Sequence, residues 1–242
     1  MGCDSGGGYG TMIPADSLRV HDFPRMIRLG RPNDGGYCVA DIQGYDHFLS
    51  GGINGENSFE IAVLERYPNL TCYAFDPVNS PGQAHPRYEF IANNVGYFGL
   101  FTYRNALVKL DIERAEWPWL ATLLDSDLSH IAQMVLELHS PHVPESGWDW
   151  AQLARLSSTH ALIHLHGNNW DGMVEAGGTR MPGTIETTWL RWDLAGKLPR
   201  RSRPIPDALD QVNDPSKPDH VVDWEPFVES SRRGGAESGG ES

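Results

Sequence analysis

Short apolar runs recur through the middle of the chain, at 47–53, 70–75, 88–93, 106–112, 131–138 and 161–166, and each reads as a buried strand. Several are continuous instead of alternating. Met134-Val135-Leu136 is an example, and unbroken apolar character suits a strand covered on both faces, as parallel sheets require. Helical patterning falls between the runs. Over 58–67 it places Phe59, Ala62, Val63 and Tyr67 near one face, with Glu56 and Asn57 close to the start and Pro68-Asn69 as a stop. A second helix is expected over 116–124, where Pro118 falls in the first turn and its missing N–H has no intrahelical partner. Strands alternating with helices predict an α/β sandwich. Asn33-Asp34-Gly35-Gly36-Tyr37 reads as a tight turn between extended segments, either a plain hairpin or one that closes over a pocket.

The ends have nothing to pack. Ser5-Gly6-Gly7-Gly8-Tyr9-Gly10 at one end and the Ser, Arg and Gly residues from Ser230 at the other predict a flexible segment over 1–14, a single domain over 15–228 and a disordered tail over 229–242. The proline-rich stretch 199–218 is expected to be a long surface loop. The chain has 40% hydrophobic and 21% charged residues, a globular balance that supports a packed core. With 19 Lys and Arg against 32 Asp and Glu, the net charge of −13 repels phosphate backbones, so no nucleic-acid partner is expected. The one basic cluster, Lys197, Arg200, Arg201 and Arg203, is broken by Pro199 and Pro204 and reads as a solvated loop. Cys3, Cys38 and Cys72 are odd in number and widely spaced, which argues against a disulfide framework or a CxxC metal knuckle. With no bilayer-length apolar run and no signal-peptide layout, the expectation is a cytoplasmic protein with no membrane partner. Met1-Gly2-Cys3 suggests an acylated start, but Gly6 stands where a myristoylation motif has Ser or Thr.

In an open parallel sheet, ligands bind beyond the carboxyl ends of the strands, and polar residues accumulate there. The first run leads into Ser50-Gly51-Gly52-Ile53-Asn54-Gly55-Glu56, where glycine allows close backbone approach and a new helix presents free N–H groups. An ordinary strand-to-helix turn explains the glycines equally well. The second run ends in Asp76-Pro77, roughly 20 residues beyond that turn, the separation at which a carboxylate accepts from ribose hydroxyls. The fourth delivers Asp111 and Glu113, which share a side only while the strand stays extended. The fifth gives Glu137-Leu138-His139 and the sixth His164-Leu165-His166-Gly167-Asn168-Asn169. Carboxylate and imidazole on adjoining strand ends could hold a divalent cation, or an imidazole could act as a general base. Five tryptophans, Trp148, Trp150, Trp170, Trp189 and Trp192, either line a sugar-binding wall or fill the core.

Taken in order, the motifs resemble the FkbM-like group of S-adenosylmethionine-dependent methyltransferases. The resemblance is carried by Asp34-Gly35-Gly36-Tyr37, Ser50-Gly51-Gly52-Ile53 with Ser58-Phe59-Glu60, Tyr73-Ala74-Phe75-Asp76-Pro77, Lys109-Leu110-Asp111-Ile112-Glu113 with Ala115-Glu116-Trp117, Glu137-Leu138-His139, and the segment from His164 to Asn169. It implies a Rossmann-like methyltransferase sandwich, a mostly parallel central sheet with helices on both faces whose closing strands turn antiparallel. It further implies S-adenosylmethionine as cofactor and O-methylation of a small-molecule hydroxyl, of a sugar or other natural product, as activity. On that reading Ser50, Gly51, Gly52, Ile53 and Asn54 approach the methionine part, Asp76 and Pro77 the ribose, and Asp111 the region between cofactor and acceptor. Arg114 departs from the family pattern, standing where Gly usually follows Asp-Ile-Glu, and a side chain that long could occlude or recontact the pocket. The glycine spacing is irregular, and 76–111 is short for two crossover helices and a full strand.

The expected catalytic residues are Asp111, His139 and His166, the two histidines as bases for the hydroxyl proton. A divalent metal held by Asp111, Glu137 and His139 is the alternative means of lowering the hydroxyl pKa. Two other classes stay open: a protein of this fold that has lost cofactor binding, and a metal-dependent hydrolase built on the same Asp, Glu and His residues, although no HExxH-type signature is present.

Overall fold

The structure is a computed structural model that describes residues 16–78, 80–96, 102–140 and 150–229. The expected flexible segment 1–14, Trp148 and all but the first residue of the expected tail 229–242 lie outside the described residues. The chain enters through a hairpin of β1 (Met26–Gly30) and β2 (Gly36–Ala40). There follow β3 (His47–Gly51), α1 (Ser58–Arg66), β4 (Cys72–Phe75), β5 (Tyr88–Ile91) and β6 (Ala106–Leu110). Helices α2 (Glu116–Thr122) and α3 (Asp125–Leu128) lead to β7 (Ile131–His139), and α4 (Trp150–Thr159) to β8 (His160–Gly167). A small hairpin, β9 (Met173–Ala176) with β10 (Thr179–Pro182), precedes β11 (Thr184–Arg191) and α5 (Trp192–Ala195).

Seven of the strands form one sheet in the order β5-β4-β3-β6-β7-β11-β8. The pairs β5–β4, β4–β3, β3–β6 and β6–β7 are parallel, and β11 is antiparallel to both its neighbours. This is an α/β, Rossmann-like sandwich. All six expected strands are present, and β7 shows why the unbroken apolar runs were informative. Its successive side chains enter two different cores, with Met134, Leu136 and Leu138 on one face and Ala132 and Val135 on the other. The first core takes Trp117 and Leu120 of α2 and Leu153 and Leu156 of α4, and the second takes Phe59, Val63 and Leu64 of α1, so helices cover both faces. Full burial of each such side chain stabilises by roughly 1.5–3 kcal/mol.

Three features differ from expectation. Strand β11 carries Thr184, Glu186, Thr187 and Thr188, all buried, and so lacks the apolar run that betrays a central strand. The stretch between β4 and β6 is indeed short, and its third strand is a four-residue edge with no α-helix on either side among the described residues. The proline-rich stretch 199–218 is not merely a surface loop. It forms a strap, tied by single bridges from Arg200 to His21 and from Ile205 to Val222, that buries Arg201, Ile205, Asn213 and Asp214 against the sheet. Arg201 is accordingly no solvated cation: its guanidinium is 5% exposed and pairs with Asp22 at 3.3 Å and Asp207 at 2.9 Å. No described helix is long and apolar enough to cross a membrane.

Candidate active site

The chain runs outward from β3 to β4 and β5 on one side and from β6 to β7 and β8 on the other, so the sheet has a topological switch point between β3 and β6. A cleft of about 920 Å³ opens there at the carboxyl ends of the strands. It lies in the size range of small-molecule sites, roughly 300–1,000 Å³. Of the residues expected to meet a cofactor, Gly52, Ile53, Asn54, Asp76, Pro77 and Asp111 line it, while Ser50 and Gly51 are buried in β3. The β1–β2 hairpin brings Asp34 and Gly35 of its turn and Tyr37 of β2 to the same cleft, so it forms part of the pocket wall.

The glycine-rich turn is fixed from below. Gly52 has φ +80°, and a Cβ there would fall 1.5 Å from the carbonyl oxygen of Asp111, so only glycine lets the turn rest on the end of β6. The buried ammonium of Lys109 donates to the Gly52 carbonyl at 2.7 Å, stands 3.7 Å from Asp111 Oδ2 and lies over the Tyr37 ring at 5.4 Å. Burial opposes its charge, yet Asp111, Glu60 and Glu137 outweigh it and raise the Lys109 pKa. Lys109 is thus a charged tie between turn and strand, a role that an apolar run in the sequence does not announce. From above, the N–H groups of Ile53 and Asn54 both donate to Asp76 Oδ2 at 2.8 Å, and the Val78 N–H donates to Oδ1 at 2.7 Å. Burial works against the Asp76 anion, but these three N–H groups prevail and hold its carboxyl below the usual range. The turn amides that would cradle a phosphate are therefore already taken by a carboxylate.

Beyond Asp111 the chain leaves the strand. Glu113 and Arg114 have φ +55° and +79°, so Glu113 does not share a strand face with Asp111, and its side chain is 87% exposed at the cleft rim. Arg114 is exposed and is not among the residues lining the cleft, so its side chain does not occlude it.

Asp111, Glu137 and His139 converge, each offering a ligand atom within 4.8 Å of the others. His139 Nδ1 meets Glu116 Oε1 at 3.1 Å, and Nε2 is 3.9 Å from Asp111, 3.7 Å from Glu113 and 3.7 Å from Glu137. Burial disfavours the imidazolium, but the Glu116 hydrogen bond and the surrounding carboxylates raise its pKa to about 9. Glu137 is buried between Asp111 and Glu186, and burial first, with those two like charges, pushes its carboxyl up. The Tyr37 hydroxyl spans Asp111 Oδ2 at 3.0 Å and Glu137 Oε2 at 3.1 Å. A hydroxyl has one proton to donate, so Tyr37 donates to one of these two carboxyl groups at a time. Asn168 completes the group, its Nδ2 donating to Glu137 Oε1 at 2.8 Å.

His166 is not brought to the cleft. It is buried beside β11 and the strap, with Nδ1 3.3 Å from Glu186 and Nε2 3.1 Å from Asp219. Burial again opposes the charge, yet these two partners hold its pKa at about 10. His164 is likewise turned to the strap, 2.6 Å from Asp210. The tryptophans divide: Trp189 is core, Trp150 nearly so, and Trp170 is 56% exposed.

No protein-family model and no curated protein matches the sequence. Among solved structures, the chain is similar to the antibiotic-resistance methyltransferase Kmr, at 13% identity over 69% of this chain and 99% of that one, with a TM-score of 0.35. It is similar to human methyltransferase-like protein 13 in complex with SAH at 14% identity over 61% and 72%, TM-score 0.38. A third likeness is to CalO1, a methyltransferase in calicheamicin biosynthesis in its SAH-bound form, at 12% identity over 63% and 51%, TM-score 0.33. The chain thus spans about half the length of CalO1. At these scores none of the three bears on what this chain binds or does.

Proposed function

We propose that this chain is an S-adenosylmethionine-dependent O-methyltransferase acting on a hydroxyl of a sugar or other small natural product. The observation that carries the reading is the charge of the switch-point cleft. It presents six carboxyl groups, from Asp34, Glu56, Glu60, Asp76, Asp111 and Glu113, against two cations, Arg31 and Lys109. A nicotinamide or flavin dinucleotide needs free turn amides for its phosphates, and here Asp76 occupies those of Ile53 and Asn54. A nucleoside carrying a sulfonium and an ammonium group against a single carboxylate, net positive and with no phosphate, suits an acidic cleft of this size. When bound, S-adenosylmethionine supplies an electrophilic methyl group. Gly52, Ile53 and Asn54 would hold its methionine part, Asp76 and Pro77 its ribose, and Asp111 the acceptor side.

The Asp111, Glu137 and His139 group would orient the acceptor hydroxyl and receive its proton. Of the two histidines, we retain His139 as the base, acting in its neutral form, because it adjoins Asp111, whereas His166 is enclosed by Glu186 and Asp219. A divalent cation at Asp111, Glu137 and His139 is a second reading, favoured by their three converging ligand atoms, and would lower the hydroxyl pKa when bound. The decisive assay incubates the protein with methyl-labelled S-adenosylmethionine and a panel of sugar and natural-product alcohols. Label in an ether product is expected. Binding without transfer to any hydroxyl would instead favour a cofactor-binding protein. Full activity after exhaustive chelation, with no metal by elemental analysis, would remove the cation.

A further inference from the structure

A second group of ligand-type side chains lies apart from the cleft. Cys38 of β2, His164 of β8 and Asp210 of the strap each offer one atom, all within 4.8 Å of one another. His164 Nε2 is 2.6 Å from Asp210 Oδ1, and Cys38 Sγ is 3.7 Å from that same oxygen. The side chains of His164 and Asp210 are 8% and 2% exposed, and Cys38 is buried. We propose that these three residues form a binding site for a zinc-type divalent ion. Thiolate, imidazole and carboxylate are the donors such an ion selects, and three protein ligands leave one position for water or another small ligand. Charge supports it: once the ion is bound, a thiolate and a carboxylate with a neutral imidazole carry two negative charges, which a divalent ion cancels among buried side chains. The backbone is prepared as well. Thr188 of β11 donates to the Cys38 carbonyl at 2.5 Å, and the Asp207 N–H donates to Asp210 Oδ2 at 2.5 Å, leaving Oδ1 directed at Cys38 and His164. His164 also lines a cavity of about 190 Å³ beside Arg201 and Asp207. The ion would join the entry hairpin, the edge strand of the sheet and a strap with no helix or regular strand of its own.

The Asp111, Glu137 and His139 group has only oxygen and nitrogen donors, so a sulfur-specific signal separates the two. The test is Co²⁺ titration of the reduced, metal-stripped full-length protein, read by absorption, with Zn²⁺ stoichiometry by native mass spectrometry. The site predicts one Zn²⁺ per chain that depends on Cys38, and a thiolate-to-cobalt charge-transfer band with tetrahedral d–d bands. Cys38→Ser loses the charge-transfer band. Asp210→Asn, nearly isosteric and able to keep the His164 contact, keeps the band but binds about a hundredfold or more weaker, at least the loss seen when outer-shell partners are removed. Asp111→Asn changes neither. Absence of the band in the reduced wild-type protein overturns the proposal without any variant having to fold, and so does a band that survives in Cys38→Ser.

Discussion

Gly52→Ala probes the junction on which the cleft depends, and its cost can be worked from geometry. Gly44 provides the reference, because it too has positive φ, +93°, but a Cβ there would meet nothing within 4 Å. Gly44→Ala therefore carries the conformational penalty alone, about 1–2 kcal/mol. Gly52→Ala carries the same penalty and, in addition, a Cβ placed 1.5 Å from the Asp111 carbonyl oxygen, with Ile112 Cγ2 at 3.3 Å. The nearest atoms are backbone, so the turn or the end of β6 must move. Overpacking of that kind costs about 1–3 kcal/mol more, for a total of roughly 2–5 kcal/mol. At about 2–4 °C per kcal/mol for a chain of this size, Gly44→Ala should melt roughly 2–8 °C below wild type and Gly52→Ala roughly 4–20 °C below. Urea and thermal unfolding, followed by circular dichroism and tryptophan fluorescence, measure both. Titration with S-adenosylhomocysteine should show binding retained in Gly44→Ala and lost in Gly52→Ala. If the two variants unfold together and bind alike, the turn does not rest on Asp111 and the account of the cleft fails.

Asp111→Asn should lower methyl transfer about a hundredfold or more, in line with loss of a group acting on the reacting hydroxyl, while circular dichroism stays native; unchanged turnover would remove Asp111 from the site. If neutral His139 is the base, transfer should rise about tenfold per pH unit up to about 9 and then level, because the base form appears only as the imidazolium deprotonates. Glu116→Gln, which removes the carboxylate on Nδ1, should move that limb to lower pH, and a flat profile in wild type would exclude the role. His166 makes a separate statement about stability. Its pKa is raised from 6.5 to about 10 by folding, so its stabilisation is complete below pH 6.5 and is lost as pH rises toward 10. At about 1.4 kcal/mol per unit the rise from 6.5 to about 10 is on the order of 5 kcal/mol. Urea midpoints that do not fall between pH 7 and 10 would contradict the clamp by Glu186 and Asp219.

The sequence made the parallel half of the sheet readable because β3, β4, β6 and β7 are buried and largely apolar. It concealed β11, since Thr187, Thr188 and Glu186 are buried polar residues whose partners are distant: Leu136 and Cys38 carbonyls for the two threonines, Asn213 and His166 for the acid. The site divides along the same line. Asp76 and Asp111 stand where strand ends meet the cleft, and the rule that ligands bind at those ends located them. His166 obeyed the same rule in sequence but is turned away, because the inserted β11 supplies Glu186 and the residue that follows the strap, Asp219, supplies the second acid, and neither could be anticipated from local pattern. Lys109 was hidden for the opposite reason. A lysine within an apolar run looks like the end of a strand, and its work is apparent only once the Gly52 carbonyl and Asp111 are beside it. Arg114 was expected to trouble the pocket, but two successive left-handed residues carry the chain out of the strand and leave it exposed.

On the proposed function, the acidic cleft at the β3–β6 switch point binds S-adenosylmethionine and, with its turn amides held by Asp76, rejects a dinucleotide. Isothermal titration of the purified protein with S-adenosylmethionine and, separately, with NAD⁺ addresses it without requiring knowledge of the acceptor. The account predicts one S-adenosylmethionine per chain and no detectable NAD⁺ binding. A natively folded protein that binds neither, or that prefers NAD⁺, would contradict it.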